Sequence, residues 1–136
     1  MVPIDYVAVL VAALVPIVVG FIWHGPLFGR EWARLSGVSE DSMKDLPVYT
    51  YPIMILGALL MSFVLSHNLI FASAYLNMSG MAAGLQAGFW TWLGFVAPVT
   101  VGVVLWEGKP WKLWVINSSY YLVGLCVMGV ILALWQ

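Results

Sequence analysis

The order of apolar and polar positions divides the chain into four long apolar segments separated by three polar linkers. The apolar segments occupy about residues 4–23, 50–74, 82–106 and 111–135. Each supplies the roughly 20 apolar residues that a helix needs to cross a hydrocarbon core of about 30 Å. Because backbone groups in lipid must be satisfied within the spanning segment, each run is predicted to be helical. The sequence therefore predicts an all-α bundle of four transmembrane helices, forming a single integral membrane domain over residues 1–136.

The first linker, residues 24–49, is long, whereas NMSGM at 77–81 and EGKP at 107–110 are short. Gly25 and Pro26 are expected to end the first helix, because proline lacks an N–H and disfavours helix in the preceding residue. The following residues predict a short amphipathic segment on the membrane surface, with Leu27, Phe28, Trp32 and Leu35 on one face and Arg30, Glu31 and Arg34 on the other. We expect the hydrophilic stretch SGVSEDSMKD to form a mobile loop.

The basic residues are confined to one side of the predicted membrane topology. All five lie in the first linker or at the third: Arg30, Arg34, Lys44, Lys109 and Lys112. Short basic loops remain in the cytoplasm, so both termini are predicted to be extracytoplasmic. Trp23 and Trp32 are expected to anchor the chain at the inner interface, where tryptophan is enriched.

Composition supports a membrane protein and excludes several other classes. Of the 136 residues, 63% are hydrophobic and 8% are charged, whereas about 25% of a soluble domain is charged. The net charge of −1 provides no electrostatic basis for nucleic acid binding. The single Cys126 excludes an internal disulfide and a multi-cysteine metal site. Membrane lipids are therefore the expected surroundings, with a second copy or another membrane protein as the expected partner.

Small residues recur at steps of three and four along the apolar segments, a pattern that allows helices in lipid to approach closely. The predicted packing positions are Gly20, Gly84, Gly94 and Gly102. These stripes are expected to pack within the bundle, and the alternative is that one of them contacts a second copy. VGFIWHGP at 19–26 also resembles VGVVLWEGKP at 101–110, so two pseudo-repeated helical hairpins form a further alternative.

Polar residues inside the apolar segments fall at two depths. The inner group forms a candidate pocket for a lipid or another ligand, lined by Trp23, His24, Trp106, Glu107, Asn117 and Tyr121. A histidine near a carboxylate there is expected to suit an anionic or polar head group. The outer group is His67, Asn68 and Gln86, for which interhelical hydrogen bonds are the alternative to a functional role. For the inner group, the alternative is that loop ends simply meet there.

Several chemical functions find no support in the sequence. A proton-coupled exporter would need a carboxylate near mid-span, and the chain has none there. His24 and His67 should differ in height by about 20 Å, which is too far for one haem iron. The chain lacks a Ser-His-Asp set, a phosphate-binding glycine loop and zinc-ligand spacing. We therefore expect no metal, no cofactor and no enzymatic activity.

Three segments together resemble a known family: WHGPLFGREW at 23–32, FWTWLGF at 89–95 and LWEGKPWKLWVINSSYYL at 105–122. They are similar to the bacterial family called domain of unknown function 1761. The resemblance covers nearly the whole chain and implies a small four-helix integral protein of the bacterial inner membrane. It implies no activity.

Two functions remain open at this point. The first is a non-catalytic membrane protein that self-associates or serves as an accessory subunit of a membrane complex. The alternative is a small carrier or binding protein for a lipid or amphipathic ligand, which would occupy the inner polar pocket.

Overall fold

The computed structural model describes residues 3–135, and within them every regular element is a helix. The helices are α1 (Tyr6–Leu27), α2 (Gly29–Ser36), α3 (Glu40–Lys44), α4 (Thr50–Leu76), α5 (Gly80–Leu105) and α6 (Trp111–Trp135). Four of them, α1, α4, α5 and α6, are long and apolar enough to cross a membrane. The prediction of an all-helical chain with four such helices is confirmed.

The outer surface of the four long helices carries large apolar side chains. Phe21 is 79% exposed, Tyr75 is 90% exposed and Phe95 is 76% exposed. Lipid can cover such side chains at no cost, because its hydrocarbon is as apolar as they are. The exposed faces therefore fit a membrane environment.

Helices α1 and α5 each contain one π-helical turn beside a proline. In α1 the turn covers Trp23–Leu27, and Gly25 within it has non-helical dihedral angles (φ −109°, ψ −106°). The predicted break thus falls at Gly25, although helical hydrogen bonding continues to Leu27. In α5 the turn covers Trp92–Val96, two residues before Pro98. Because proline has no N–H to donate, the backbone is free to change its hydrogen-bonding register there.

The two segments with similar sequence do not leave their helices in the same way. α1 ends through its π-helical turn, whereas α5 ends at Leu105 in regular helix and turns at Gly108, whose φ is +66°. The local backbone geometry is therefore not repeated between the two hairpins.

Helix α6 is central, because it contacts α1, α4 and α5, whereas α1 and α5 make no substantial contact with each other in the described residues. Its Met128 and Leu132 are fully buried together with Leu65 and Leu69 of α4. Small residues bring α1 and α4 together, and the Ser62 hydroxyl donates to the Val9 carbonyl oxygen at 2.8 Å. The core is thus built around α4 and α6.

Glycines bring α5 and α6 into backbone contact near their far end, the end away from the basic linkers. A Cβ at Gly84 would collide with the Gly129 carbonyl, and one at Gly88 would lie 2.5 Å from the Leu125 carbonyl oxygen. Beyond the π-helical turn the two helices contact each other much less. Helix α5 therefore lies close to α6 at the far end and diverges from it toward the end that carries the basic residues, called the basic end below.

The predicted packing glycines have different environments. Gly84 lies at the α5–α6 contact, and a Cβ at Gly20 would lie 3.3 Å from the Tyr120 hydroxyl of α6. The expectation for Gly94 and Gly102 is not met within the chain. No atom lies within 4 Å of a Cβ at Gly94, and one at Gly102 would meet only Trp106 of the same helix. Both residues lie in the diverging part of α5, where no atom of α6 lies within 4 Å of a Cβ at either position.

Candidate functional site

At the basic end, ion pairs and a hydrogen bond hold the amphipathic helix α2 against the start of α6. The Lys112 ammonium and the Arg34 guanidinium each lie 2.6 Å from Oε1 of Glu31. Lys109 donates to the Ser36 carbonyl oxygen at 3.1 Å. Hydrogen bonds from Arg34 and Lys112 lower the pKa of Glu31 to about 2. Helix α2 is therefore fixed across the basic end of the bundle.

The divergence of α5 from α6 opens a space of about 530 Å³ at this end, called the polar cavity below. Its walls come from the end of α5, the start of α6, and two side chains of α1 and α2. The lining residues are His24, Trp32, Val99, Thr100, Gly102, Val103, Trp106, Glu107, Trp114, Asn117, Tyr120 and Tyr121. Five of the six residues predicted for the inner pocket are among them; Trp23 is the exception.

Hydrogen bonds and ring contacts hold the aromatic walls of the polar cavity in place. The Trp114 indole N–H donates to Oγ1 of Thr100 at 3.1 Å, and the Tyr120 hydroxyl donates to the Pro16 carbonyl oxygen at 2.8 Å. The His24 ring meets Trp32 and Tyr120 edge to face, with ring centroids 5.3 and 5.0 Å away. A ligand would meet these rings already oriented.

Four polar side chains of the cavity have no partner in the described part of the chain. Within residues 3–135, the side chains of His24, Glu107, Asn117 and Tyr121 take part in no hydrogen bond or ion pair with another residue. Their donors and acceptors therefore remain available to water or to a polar ligand.

Trp23 has a different position from the one expected. Its indole N–H donates to the Ile116 carbonyl oxygen of α6 at 2.9 Å, and its ring packs on Phe28 at 5.0 Å. Trp92 of α5 makes a similar bond to the Ser118 carbonyl oxygen at 2.9 Å. The N–H of Trp23 therefore joins two helices of the bundle.

Sequence reasoning did not include Trp32, Trp114 and Tyr120 among the pocket residues. A signal for Trp114 was present, because it lies three residues before Asn117 and seven before Tyr121, on the same helical face. Tyr120 comes directly before Tyr121, so the sequence also indicates its depth, whereas no comparable signal exists for Trp32. Their place in the cavity depends on how α2 and α1 dock on α6.

The three residues of the predicted outer polar group do not line the same space. Asn68 and Gln86 line a second space of about 300 Å³ between α4 and α5, called the far cavity below. No hydrogen bond joins them in the described part of the chain. His67 does not line this space, and its Nδ1 lies 2.9 Å from the Phe63 carbonyl oxygen of its own helix.

An apolar groove of about 430 Å³ lies between α4, α5 and α6 and adjoins both cavities. It shares Thr100 and Tyr121 with the polar cavity, and Thr91 and Phe95 with the far cavity. The α5 residues that line the three spaces run from 83 to 103. At 1.5 Å per residue they extend over about 30 Å, the thickness of a hydrocarbon core. A polar compartment therefore adjoins a groove suited to a hydrocarbon chain.

Comparison with known proteins identifies a family and no functional relative. The family model described as "Protein of unknown function (DUF1761)" matches residues 7–133, nearly the whole chain. No curated protein and no solved structure matches the chain.

Proposed function

Since the chain belongs to the DUF1761 family, which is described as a family of proteins of unknown function, we propose its function from the site itself. The protein is a membrane protein that binds a lipid or another amphipathic molecule, with the polar head group in the polar cavity and the chain in the apolar groove. We propose no catalytic step and no cofactor.

The observation that carries this proposal is that the polar cavity and the apolar groove adjoin each other. Thr100 and Tyr121 line both spaces, so the head group and the hydrocarbon chain of one molecule would lie on either side of these two residues. A molecule with a polar end and an apolar end would satisfy the unpaired groups of the cavity and fill the groove. Neither a wholly polar nor a wholly apolar ligand would do both.

Selectivity in such a site must come from the head group. Moving a hydrocarbon chain from lipid into an apolar groove gains little, because the lipid tails are equally apolar. In the polar cavity, the hydrogen bonds and charge interactions of a ligand form beside an apolar environment, where they are stronger than in water. These interactions therefore distinguish one head group from another. The basic residues next to the cavity favour the cytoplasmic leaflet of a bacterial inner membrane as the source of the ligand.

Native mass spectrometry of the protein, purified in a mild neutral detergent with its bound lipids, tests the proposal. The double variant His24→Ala, Asn117→Ala removes two polar groups of the cavity and should lose the bound molecule. The matched control is His67→Ala, Ser119→Ala, which removes one histidine and one α6 polar residue that do not line the polar cavity. Equal retention of bound lipid by the two variants would contradict the proposal.

Self-association is a second candidate function, favoured by one face of α5. Gly94 has open space around it, and its neighbours Leu93 and Phe95 are exposed. A glycine on an exposed helical face permits close approach by another helix. The same mass measurement, made on the wild-type protein, would detect a dimer or a larger complex.

A further inference from the structure

We infer that the head group bound in the polar cavity carries a positively charged ammonium group. This inference rests on the proposed function and specifies its ligand class. It differs from the anionic or polar head group that the sequence suggested for a histidine near a carboxylate, because the structure shows which charged residues line the cavity and which do not.

The charge of the cavity lining is the first observation. Among its twelve residues, Glu107 is the only one with a formal charge at pH 7 when histidine is counted as neutral. No lysine or arginine lines the space: Arg30 and Arg34 lie in α2, Lys44 ends α3, and Lys109 and Lys112 lie near the start of α6. The cavity therefore offers a carboxylate to a ligand and no cation.

The two lysines nearest to Glu107 in sequence are engaged elsewhere. Lys109 donates to the Ser36 carbonyl oxygen, and Lys112 pairs with Glu31 at 2.6 Å. Within the described residues, Glu107 itself forms no ion pair. Its side chain is exposed, so an ammonium group can reach it without any movement of the chain.

Aromatic rings surround the same space. Five of its lining residues have large aromatic side chains: Trp32, Trp106, Trp114, Tyr120 and Tyr121. The face of such a ring attracts a cation within about 6 Å of its centre. Hydrogen bonds already hold two of these rings, Trp114 and Tyr120, so little ordering is required on binding. A carboxylate among aromatic rings is complementary to an ammonium ion.

The charge of the polar cavity is unfavourable for an anionic head group. It would approach the Glu107 carboxylate without a lysine or arginine inside the cavity to compensate it. The basic side chains of the linkers can attract anionic lipids to the membrane surface around the protein. Arg30 and Lys44 line a separate space that adjoins the polar cavity at His24 and Trp32, and neither lines the polar cavity itself.

The experiment compares three probes with the same dodecyl chain: dodecyltrimethylammonium, dodecyl maltoside and laurate. The protein is kept in a neutral polyoxyethylene detergent at low salt, and bound probe is counted by native mass spectrometry. We expect the ammonium probe to bind about tenfold more tightly than the maltoside, from one carboxylate and the aromatic rings together. Laurate should bind most weakly.

Two variants assign the preference to named side chains. Glu107→Gln keeps the shape of the side chain and should weaken ammonium binding about fivefold without changing maltoside binding. Trp106→Leu should weaken it about threefold, and this residue is 87% exposed, so the fold is not at risk. The control Asp45→Asn removes an acid at the same end that does not line the cavity, and should have no effect.

The outcomes separate this inference from the proposed function. If all three probes bind equally, or laurate binds best, the ammonium class is wrong while amphiphile binding stands. A wild-type preference for ammonium that Glu107→Gln leaves unchanged also overturns the inference. If no probe binds to the wild-type protein, the proposed function fails as well.

Discussion

The substitution Gly88→Ala should weaken the bundle by forcing α5 away from α6. The added Cβ would lie 2.5 Å from the Leu125 carbonyl oxygen and 2.7 Å from Cα and N of Cys126. These are backbone atoms and cannot rotate away. Ordinary contact begins at 3.4 Å, so the helices must separate locally by about 0.9 Å. Such overpacking costs about 1–3 kcal/mol in well-packed proteins.

The measurement is the free energy of unfolding in mixed micelles of dodecyl sulfate and a neutral detergent, followed by tryptophan fluorescence. The matched control is Gly124→Ala in α6, where a Cβ would have nothing within 4 Å. Alanine is the better helix former by up to about 1 kcal/mol, so the control should be neutral or slightly stabilised. If Gly88→Ala and Gly124→Ala unfold within about 0.5 kcal/mol of each other, the close contact between α5 and α6 is refuted.

Three further predictions concern orientation, the docking of α2 and the diverging part of α5. Orientation is tested with single cysteines at Ser79 and Ser42 in a Cys126→Ser background. The cysteine at position 79 should react with an impermeant reagent in intact cells, and the one at position 42 only after lysis. The reverse pattern would contradict the predicted orientation. The pKa of Glu31 is lowered from 4.5 to about 2, so its contribution to stability is present above about pH 4.5 and is lost as the pH falls toward 2. Unfolding measured against pH should therefore show Glu31→Gln less stable than wild type at pH 7, with the difference disappearing as the pH falls through about 2; a difference independent of pH would contradict this. Gly94→Leu should leave the free energy of unfolding unchanged, since no atom of the chain lies within 4 Å of a Cβ there, and a loss above about 1 kcal/mol would show a packing role.

The four spanning helices and the shared location of the basic linkers were predictable from the sequence. Both follow from properties that act along the chain: the length of apolar runs, the requirement to satisfy backbone groups in lipid, and the distribution of lysine and arginine. Much of the polar cavity was also predictable. Asn117 and Tyr121 are four residues apart on one helix, and His24 and Glu107 lie at helix ends on the same side.

The sequence did not indicate in the same way which helices pack against each other and through which faces. In a soluble helix, an apolar stripe indicates which face is buried, whereas the four spans here are apolar on all sides and their surroundings are equally apolar. Hydrophobicity therefore does not distinguish the buried face from the lipid face, and the choice depends on shape and on a few hydrogen bonds. The two glycines Gly84 and Gly94 illustrate this, because both lie on the same small-residue stripe and only Gly84 contacts α6.

Among the features that only the tertiary structure decided, the course of α5 has the largest effect on the candidate site. Its π-helical turn next to Pro98 accompanies the divergence from α6, and that divergence creates the polar cavity. The docking of α2 then adds Trp32 to the cavity wall, while Lys109 and Lys112 are held away from Glu107. The sequence alone determined that a carboxylate and a histidine lie at the basic end of a four-helix membrane protein. Which charges face the cavity depends on contacts between distant segments, and the spacing of residues along the chain does not encode those contacts.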